Sequence, residues 1–280
     1  AGCKRLNIPL LLVNARLSEK SAQGYAKLGH LVNTGLQNLS AIAAQTAQDA
    51  ARLTQLGANN VQVVGNLKFD VIPPHDVLQQ GRQMRSLWGA SRPVFLAAST
   101  REGEEAIIIA AITAAKIPNL LTVIVPRHPQ RFNEVETLMQ QRGLRYQKRS
   151  TLKQTVENET QWVLGDSMGE LFTYYASADI CLVGGSLLPF GGQNLIEAMR
   201  VGKPVLIGEH TFNFKEVSAL AVAQCAAWRV ADAQALTVAV QTLLATPLKQ
   251  VEMGAKGLAL CEASQGATQA TLNIISQHIN

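Results

Sequence analysis

Four polar stretches, each placed directly after a run of apolar residues, carry the side chains of this 280-residue chain best suited to chemistry. The fullest runs from Val183 to Ala198, VGGSLLPFGGQNLIEA. Gly184, Gly185, Gly191 and Gly192 let its backbone approach a ligand closely, and Asn194 opens a helical pattern through Leu195, Ile196, Ala198, Met199 and Val201 that Gly202 and Pro204 stop. The first N–H groups of a helix lack intrahelical acceptors and carry partial positive charge, so such a turn attracts an anion. Glu197 shares the first turn with Asn194. Its carboxylate could accept hydrogen bonds from a ribose diol; equally, Asn194-x-x-Glu197 could be a capping pair for an ordinary helix.

The other three stretches add cations and acids. In Ser99-Thr100-Arg101-Glu102-Gly103-Glu104-Glu105, Ser99-x-x-Glu102 reads as a capping box, which leaves Arg101 for a ligand. Two prolines stiffen Pro126-Arg127-His128-Pro129-Gln130-Arg131. Arg127 there suits a phosphate, and His128 reads as a hydrogen-bond donor that positions the loop in preference to a general acid or base. In Gly165-Asp166-Ser167-Met168-Gly169-Glu170, Ser167-x-x-Glu170 again has capping-box spacing. Gly169 is costly inside a first turn, by about 0.5–1 kcal/mol against alanine, and its return is access to backbone N–H groups for a flat ring or an oxygen.

The elements that must position these loops alternate. Expected strands are Leu10 to Val13, Ile42 to Ala44, Val61 to Val64, Val94 to Ala98, Leu120 to Val125, Gln161 to Leu164, Asp179 to Val183, Val205 to Ile207 and Ala227 to Val230. Between them lie expected helices over Ser18 to Gln37, Gln45 to Leu56, Val77 to Trp88, Glu102 to Lys116, Phe132 to Arg142, Met168 to Ala176 and Glu216 to Gln224. Three more, Ala233 to Leu244, Lys249 to Cys261 and Ala267 to Ile279, end the chain. Regular βα alternation with near-continuous apolar strands predicts doubly wound parallel sheets, in which ligands bind at the carboxyl ends of strands. Pro73-Pro74 makes a stiff connector, so the expected division is 1–72, then 73–265, then a terminal helix over 266–280. Ala1 to Asn7 reads as the end of a helix, and Ile8 to Val13 as a buried strand in need of neighbours, so the first domain is expected to be incomplete in this chain.

Composition excludes several classes. With 47% hydrophobic and 16% charged residues the chain is not disordered, and a net charge of +5 favours acidic partners such as a nucleotide, an acidic sugar or anionic headgroups. Basic residues are scattered and aromatics make up only 5%, which argues against nucleic acid. Cys3, Cys181, Cys225 and Cys261 are far apart and match neither a zinc nor a disulfide pattern. No stretch reaches the ~20 apolar residues of a membrane span, and no Asp-x-Asp metal motif occurs.

Taken together, PRHPQRF, GDSMGELF, VGGSLLPFGGQNLIEA and GEHTFNF, with NARLSEKS and GNLKFD upstream, resemble the 3-deoxy-D-manno-octulosonic acid (Kdo) transferases of Gram-negative bacteria over essentially the whole chain. The resemblance implies a GT-B fold of two Rossmann-like doubly wound domains, with the first one incomplete here. It also implies transfer of Kdo from CMP-Kdo to the lipid A precursor, lipid IVA, at the cytoplasmic face of the inner membrane, beside an anionic membrane surface. The reaction is expected to be an inverting single displacement with no cofactor and no metal. By the same resemblance Pro126, Arg127, Met168, Gly169, Glu170, Asn194, Leu195, Ile196 and Glu197 grip CMP, and Lys68 stabilises the transition state. On its residues alone Lys68 reads as a solvated lysine beside Asp70. The family's glutamate base and membrane-associated segment lie upstream of these residues, so the chain by itself is expected to be inactive. Two alternatives stay open: a UDP-sugar transferase or epimerase of the same architecture, and a non-enzymatic nucleotide-binding module.

Overall fold

Runs of consecutive apolar residues become the strands of two all-parallel sheets in the computed structural model, which describes residues 2–279. The chain forms two compact units. One comprises residues 1–71 together with 262–280, and the other residues 72–261. The division at Val71 and Ile72 directly precedes Pro73-Pro74, and the terminal helix belongs to the first unit instead of standing apart.

In the first unit β1 (Leu11–Ala15), β2 (Ala41–Ala44) and β3 (Val61–Val63) lie side by side in that order. β2, between the other two, is buried along its whole length. The helix expected over Ser18 to Gln37 is two helices, Glu19–Ala26 and His30–Gln37, separated at Gly29. Ser18 accepts the Ser21 N–H and caps the first of them. The C-terminal helix Ala267–Ser276 packs Ile274 against Ala41 and Ala43. Its start is held by Asp70, whose carboxylate accepts the N–H groups of Gly266 and Thr268. A carboxylate at a helix N-terminus satisfies orphan donors and complements the dipole. Here it comes from the opposite end of the chain.

The second unit has seven strands: β4 (Val94–Thr100), β5 (Leu121–Pro126), β6 (Tyr146–Lys148), β7 (Trp162–Leu164), β8 (Ile180–Val183), β9 (Val205–Ile207) and β10 (Ala227–Arg229). Their order is β10-β9-β8-β4-β5-β7-β6. All of β4, β5, β7, β8 and β9 is buried, as a parallel sheet covered on both faces requires. β6 was not foreseen, because its sequence YQK is polar and only half-buried. It lies at the sheet edge, where apolar runs are unnecessary. The chain leaves β4 toward β5 and later returns to its other side with β8, so the switch of direction falls between β4 and β8.

Two adjacent acids organise the loops at that switch. The helix after β4 begins at Glu104, not at Glu102, and Ser99 has a positive φ of 56°, so the expected Ser99-x-x-Glu102 capping box does not form. Glu104 is fully buried. Its Oε2 accepts the N–H groups of Arg101 at 2.8 Å and Gly185 at 2.6 Å, and its Oε1 those of Ser186 and Leu187, each at 2.9 Å. Glu105, also buried, accepts Thr100 Oγ1 at 2.6 Å and Arg131 Nη1 at 2.7 Å on Oε1, with Arg131 Nη2 at 3.1 Å on Oε2. Burial works against the charge of Arg131, but its bonds to Glu105 and Glu134 outweigh that and hold it above the usual guanidinium range. Glu104 therefore ties the β8 loop to the start of the helix, and Glu105 does the same for the β5 loop.

Close approach completes the junction, since a Cβ on Gly184 would stand 2.6 Å from the Ser99 carbonyl oxygen and 2.7 Å from Thr100 Cα. No larger residue fits there. Leaving buried N–H groups without acceptors costs about 1–3 kcal/mol each. Glu104→Ala is accordingly expected to lower the melting temperature by about 10 °C or more, at roughly 2–4 °C per kcal/mol for a unit of this size. Glu102→Ala, at an exposed position, should shift it by less than about 1 °C. Thermal denaturation followed by circular dichroism measures both, and equal shifts would refute the assignment.

Candidate functional site

Each of the other polar loops leaves the carboxyl end of a strand in the second sheet, where parallel α/β domains bind ligands. Pro126 is the last residue of β5 and pairs in register with Thr100 of β4. Arg127 follows, anchored by its N–H on the Thr100 carbonyl at 3.0 Å, with its side chain exposed. His128 is exposed too, and its carbonyl accepts the Arg131 N–H at 3.0 Å, so its backbone shapes the turn. Arg131, held by Glu105, fixes the far end of this loop.

Beyond β8 the helix is shorter than the residue pattern implied. It spans only Ile196–Arg200 and starts two residues after Asn194. The reason is local: Asn194 Oδ1 accepts the Ile196 N–H at 3.2 Å while its Nδ2 donates to Glu197 Oε1 at 3.0 Å, so the asparagine bonds its own turn. The capping-type contact between Asn194 and Glu197 is thus present. It engages one carboxylate oxygen of Glu197. Burial raises the Glu197 carboxyl above the usual range, against the opposing effects of the Asn194 bond and the positive charge of Arg127. Arg127 and Glu197, 70 residues apart in sequence, therefore lie within one another's field. Leu195 and Ile196 are buried and anchor the turn in the core.

The loop after β7 is arranged differently from the expected capping box. The helix starts at Leu171, and Gly169 precedes it with φ +79°, a left-handed conformation that favours glycine. The expected first-turn penalty does not arise, because Gly169 is not in the helix. A Cβ at Gly169 would meet nothing within 4 Å, and Met168 beside it is 60% exposed, so this turn is open to a ligand. Glu170 is committed within the loop. Arg149 Nη2 donates to its Oε1 at 2.7 Å and Ser167 Oγ to its Oε2 at 2.6 Å, while Ser167 Oγ also lies 2.7 Å from the hydroxyl of buried Tyr174. β7 is the immediate neighbour of β5, so this turn and Arg127 share one stretch of sheet edge.

The fold thus brings Arg127 and Glu197 together electrostatically and places Met168, Gly169 and Glu170 one strand along. Lys68 lies in the other unit, on the 3-10 turn Leu67–Asp70, with its N–H bonded to Asn66 Oδ1 at 3.0 Å. Partial burial, and then the charge of Arg16, lower the Lys68 pKa. Residues the sequence reading passed over are Glu104, Glu105 and Arg149. A signal did exist for the acids: two adjacent glutamates open the otherwise apolar helix EEAIIIAAITAA. Arg149 follows the polar edge strand and had none.

Known proteins share this organisation. A family model described as 3-Deoxy-D-manno-octulosonic-acid transferase (kdotransferase) matches residues 1–71, and one described as Glycosyl transferases group 1 matches residues 99–259. The 3-deoxy-D-manno-octulosonic acid transferase of Bordetella pertussis is 43% identical over 98% of this chain, and that of Haemophilus influenzae 38% identical over 98%. The chain spans 65% of the length of each of these two relatives. The crystal structure of the C-terminal CMP-Kdo binding domain of WaaA from Acinetobacter baumannii superposes with a TM-score of 0.62 at 34% identity, covering 66% of this chain and 97% of that domain. Anabaena Alr3699/HepE in complex with UDP, at 17% identity and a TM-score of 0.58, shares the fold over 98% of this chain and 73% of its own. The chain belongs to the glycosyl transferases group 1 and, within them, to the 3-deoxy-D-manno-octulosonic acid transferase family.

Proposed function

We propose that the unit of residues 72–261 binds CMP-Kdo at the carboxyl edge of its sheet, and that the whole protein transfers Kdo to lipid IVA in lipopolysaccharide synthesis. The observation that carries this reading is that Arg127, at the end of β5, lies within the field of the half-buried Glu197 on the short helix after β8. A guanidinium suits the phosphate, and a carboxylate suits a ribose diol. The likeness to a domain described as binding CMP-Kdo supports the same donor. Pro126 holds Arg127 at the strand end. Asn194, with Leu195 and Ile196 buried behind it, presents Glu197, and the open turn of Met168 and Gly169, backed by Glu170, receives the base.

In this reading the acceptor hydroxyl loses its proton to the glutamate base that the family resemblance implies. Its oxygen attacks the anomeric carbon of Kdo on the face opposite the phosphate, so that configuration inverts. A new carbon–oxygen bond forms as the bond from carbon to the CMP oxygen breaks, and CMP departs with the electron pair. Arg127 offsets the charge that develops on the phosphate, Lys68 keeps the transition-state role that the family resemblance implies, and no metal is required. The reaction would take place at the cytoplasmic face of the inner membrane, where a net charge of +5 favours anionic headgroups. Among the described residues no helix is long and apolar enough to cross a membrane.

Three measurements test this. Calorimetry should detect CMP binding to the chain, with UDP competing at least tenfold more weakly; a preference for UDP, or no heat at millimolar CMP, would overturn the donor assignment. Glu197→Gln should lower CMP affinity about tenfold, the equivalent of about 1.4 kcal/mol. The sign for the ligand-free protein is opposite. Because folding raises the Glu197 pKa, its protonated form is the favoured one, and stability is lost as pH rises through the raised value. Glutamine should therefore raise the melting temperature at pH 7 by about 1–3 °C, and the gain should vanish on acidification below the usual glutamate range. In the full-length enzyme Lys68→Ala should reduce turnover about 100-fold with donor affinity retained, and an unchanged rate would remove Lys68 from the mechanism.

A further inference from the structure

Most arginines along the ligand edge are committed to partners within the protein. Arg131 holds Glu105 and Glu134, Arg149 holds Glu170, and Arg229 donates to the carbonyls of Gly208 and Glu209. Arg101 and Arg127 differ, since neither forms a salt bridge among the described residues. They also leave adjacent strand ends: Thr100 of β4 pairs with Pro126 of β5, each arginine directly follows one of these residues, and neighbouring strands lie ~4.8 Å apart.

The setting of Arg101 is built and specific. Its backbone N–H is fixed by Glu104 Oε2 at 2.8 Å. Its Cγ lies 3.5 Å from the position a Cβ would take on Gly185, and its guanidinium carbon stands 4.7 Å from the centroid of the Phe190 ring. The side chain is therefore laid along the glycine-rich loop at the switch point, half-buried. Stacking on an aromatic ring uses the face of a guanidinium and leaves its in-plane N–H donors for a second partner. A planar fork held in this way suits a carboxylate.

We propose that Arg101 is the subsite for the carboxylate of the transferred acidic sugar, a proposal that rests on the donor assignment above. The donor carries two anions, a phosphodiester and the sugar carboxylate. In a CMP-linked 2-ulosonic acid the carboxyl carbon is bonded to the carbon that bears the phosphate oxygen, so the separation of the two anions is comparable to the ~4.8 Å spacing of neighbouring strands. Arg127, beside Glu197, takes the phosphate. Arg101 then takes the carboxylate and selects an acidic sugar over a neutral one.

The test compares two ligands on one protein, using displacement of a fluorescent CMP by unlabelled CMP and by freshly prepared CMP-Kdo. Arg101→Gln should weaken CMP-Kdo at least tenfold while CMP changes by less than twofold, and Arg101→Lys should recover part of the loss. Phe190→Leu, which removes the stacking face but no charge, should weaken CMP-Kdo by a smaller factor and again spare CMP. If Arg101→Gln weakens both ligands equally, the residue serves the nucleotide or the loop, and the carboxylate subsite is wrong; it is equally wrong if neither ligand changes. Wild-type protein that displaces the probe with neither ligand would instead overturn the donor assignment itself.

Discussion

Three of the four loops at the ligand edge of this protein rest on two adjacent carboxylates, Glu104 and Glu105, buried at the start of one helix. A buried charge persists only when hydrogen bonds replace its lost hydration. Glu104 obtains four backbone N–H groups and Glu105 a hydroxyl and a forked guanidinium. Satisfying these acids requires three separate loops to take up fixed positions. The register of the loops is thus imposed by the cost of leaving either acid unpaired, a stronger constraint than the marginal preferences of the loops themselves.

That arrangement also determines where an anionic ligand can bind. In a doubly wound domain the turn after the strand at the switch point is a natural cradle for phosphate, because converging N–H groups point outward from it. Here the cradle of Gly185, Ser186 and Leu187 already holds an anion belonging to the protein. The helix Ile196–Arg200 is short, so its dipole contributes little. Positive charge for a ligand must come from side chains, and Arg101 and Arg127 stand at the neighbouring ends of β4 and β5. The proposed donor site accordingly recognises phosphate by guanidinium in place of backbone amides.

The first unit has its own long-range carboxylate. Asp70 binds the start of the C-terminal helix, which joins residues near position 70 to residues near 268 and closes that unit around β2. In this contact, as in the Glu104 clamp, an acid far away in sequence supplies acceptors to backbone N–H groups. Local pattern misjudged three helix starts, at Glu104, Leu171 and Ile196, each time placing them too early. In the latter two, Ser167 and Asn194 bond the neighbouring acid side chains Glu170 and Glu197.

Strand identity, helix identity and the parallel character of the second sheet were written in the residues themselves. Val94-Phe95-Leu96-Ala97-Ala98, Ile180-Cys181-Leu182-Val183 and their like can only be buried on both faces. The four post-strand loops could be found in the same way, because polar clusters after such runs have one place to go. β6 escaped, since a polar edge strand has no hydrophobic signature. What only the tertiary structure decided was the partner of each charge: Glu104 with the glycine loop 81 residues away, Glu105 with Arg131, Glu170 with Arg149, and Arg101 and Arg127 with no acid at all. Periodicity reports which face a side chain takes, a property of neighbours in sequence. Electrostatic pairing depends on close approach between distant segments, such as the 2.7 Å of Arg131 to Glu105 and of Arg149 to Glu170, which exists only once the sheet order has been set.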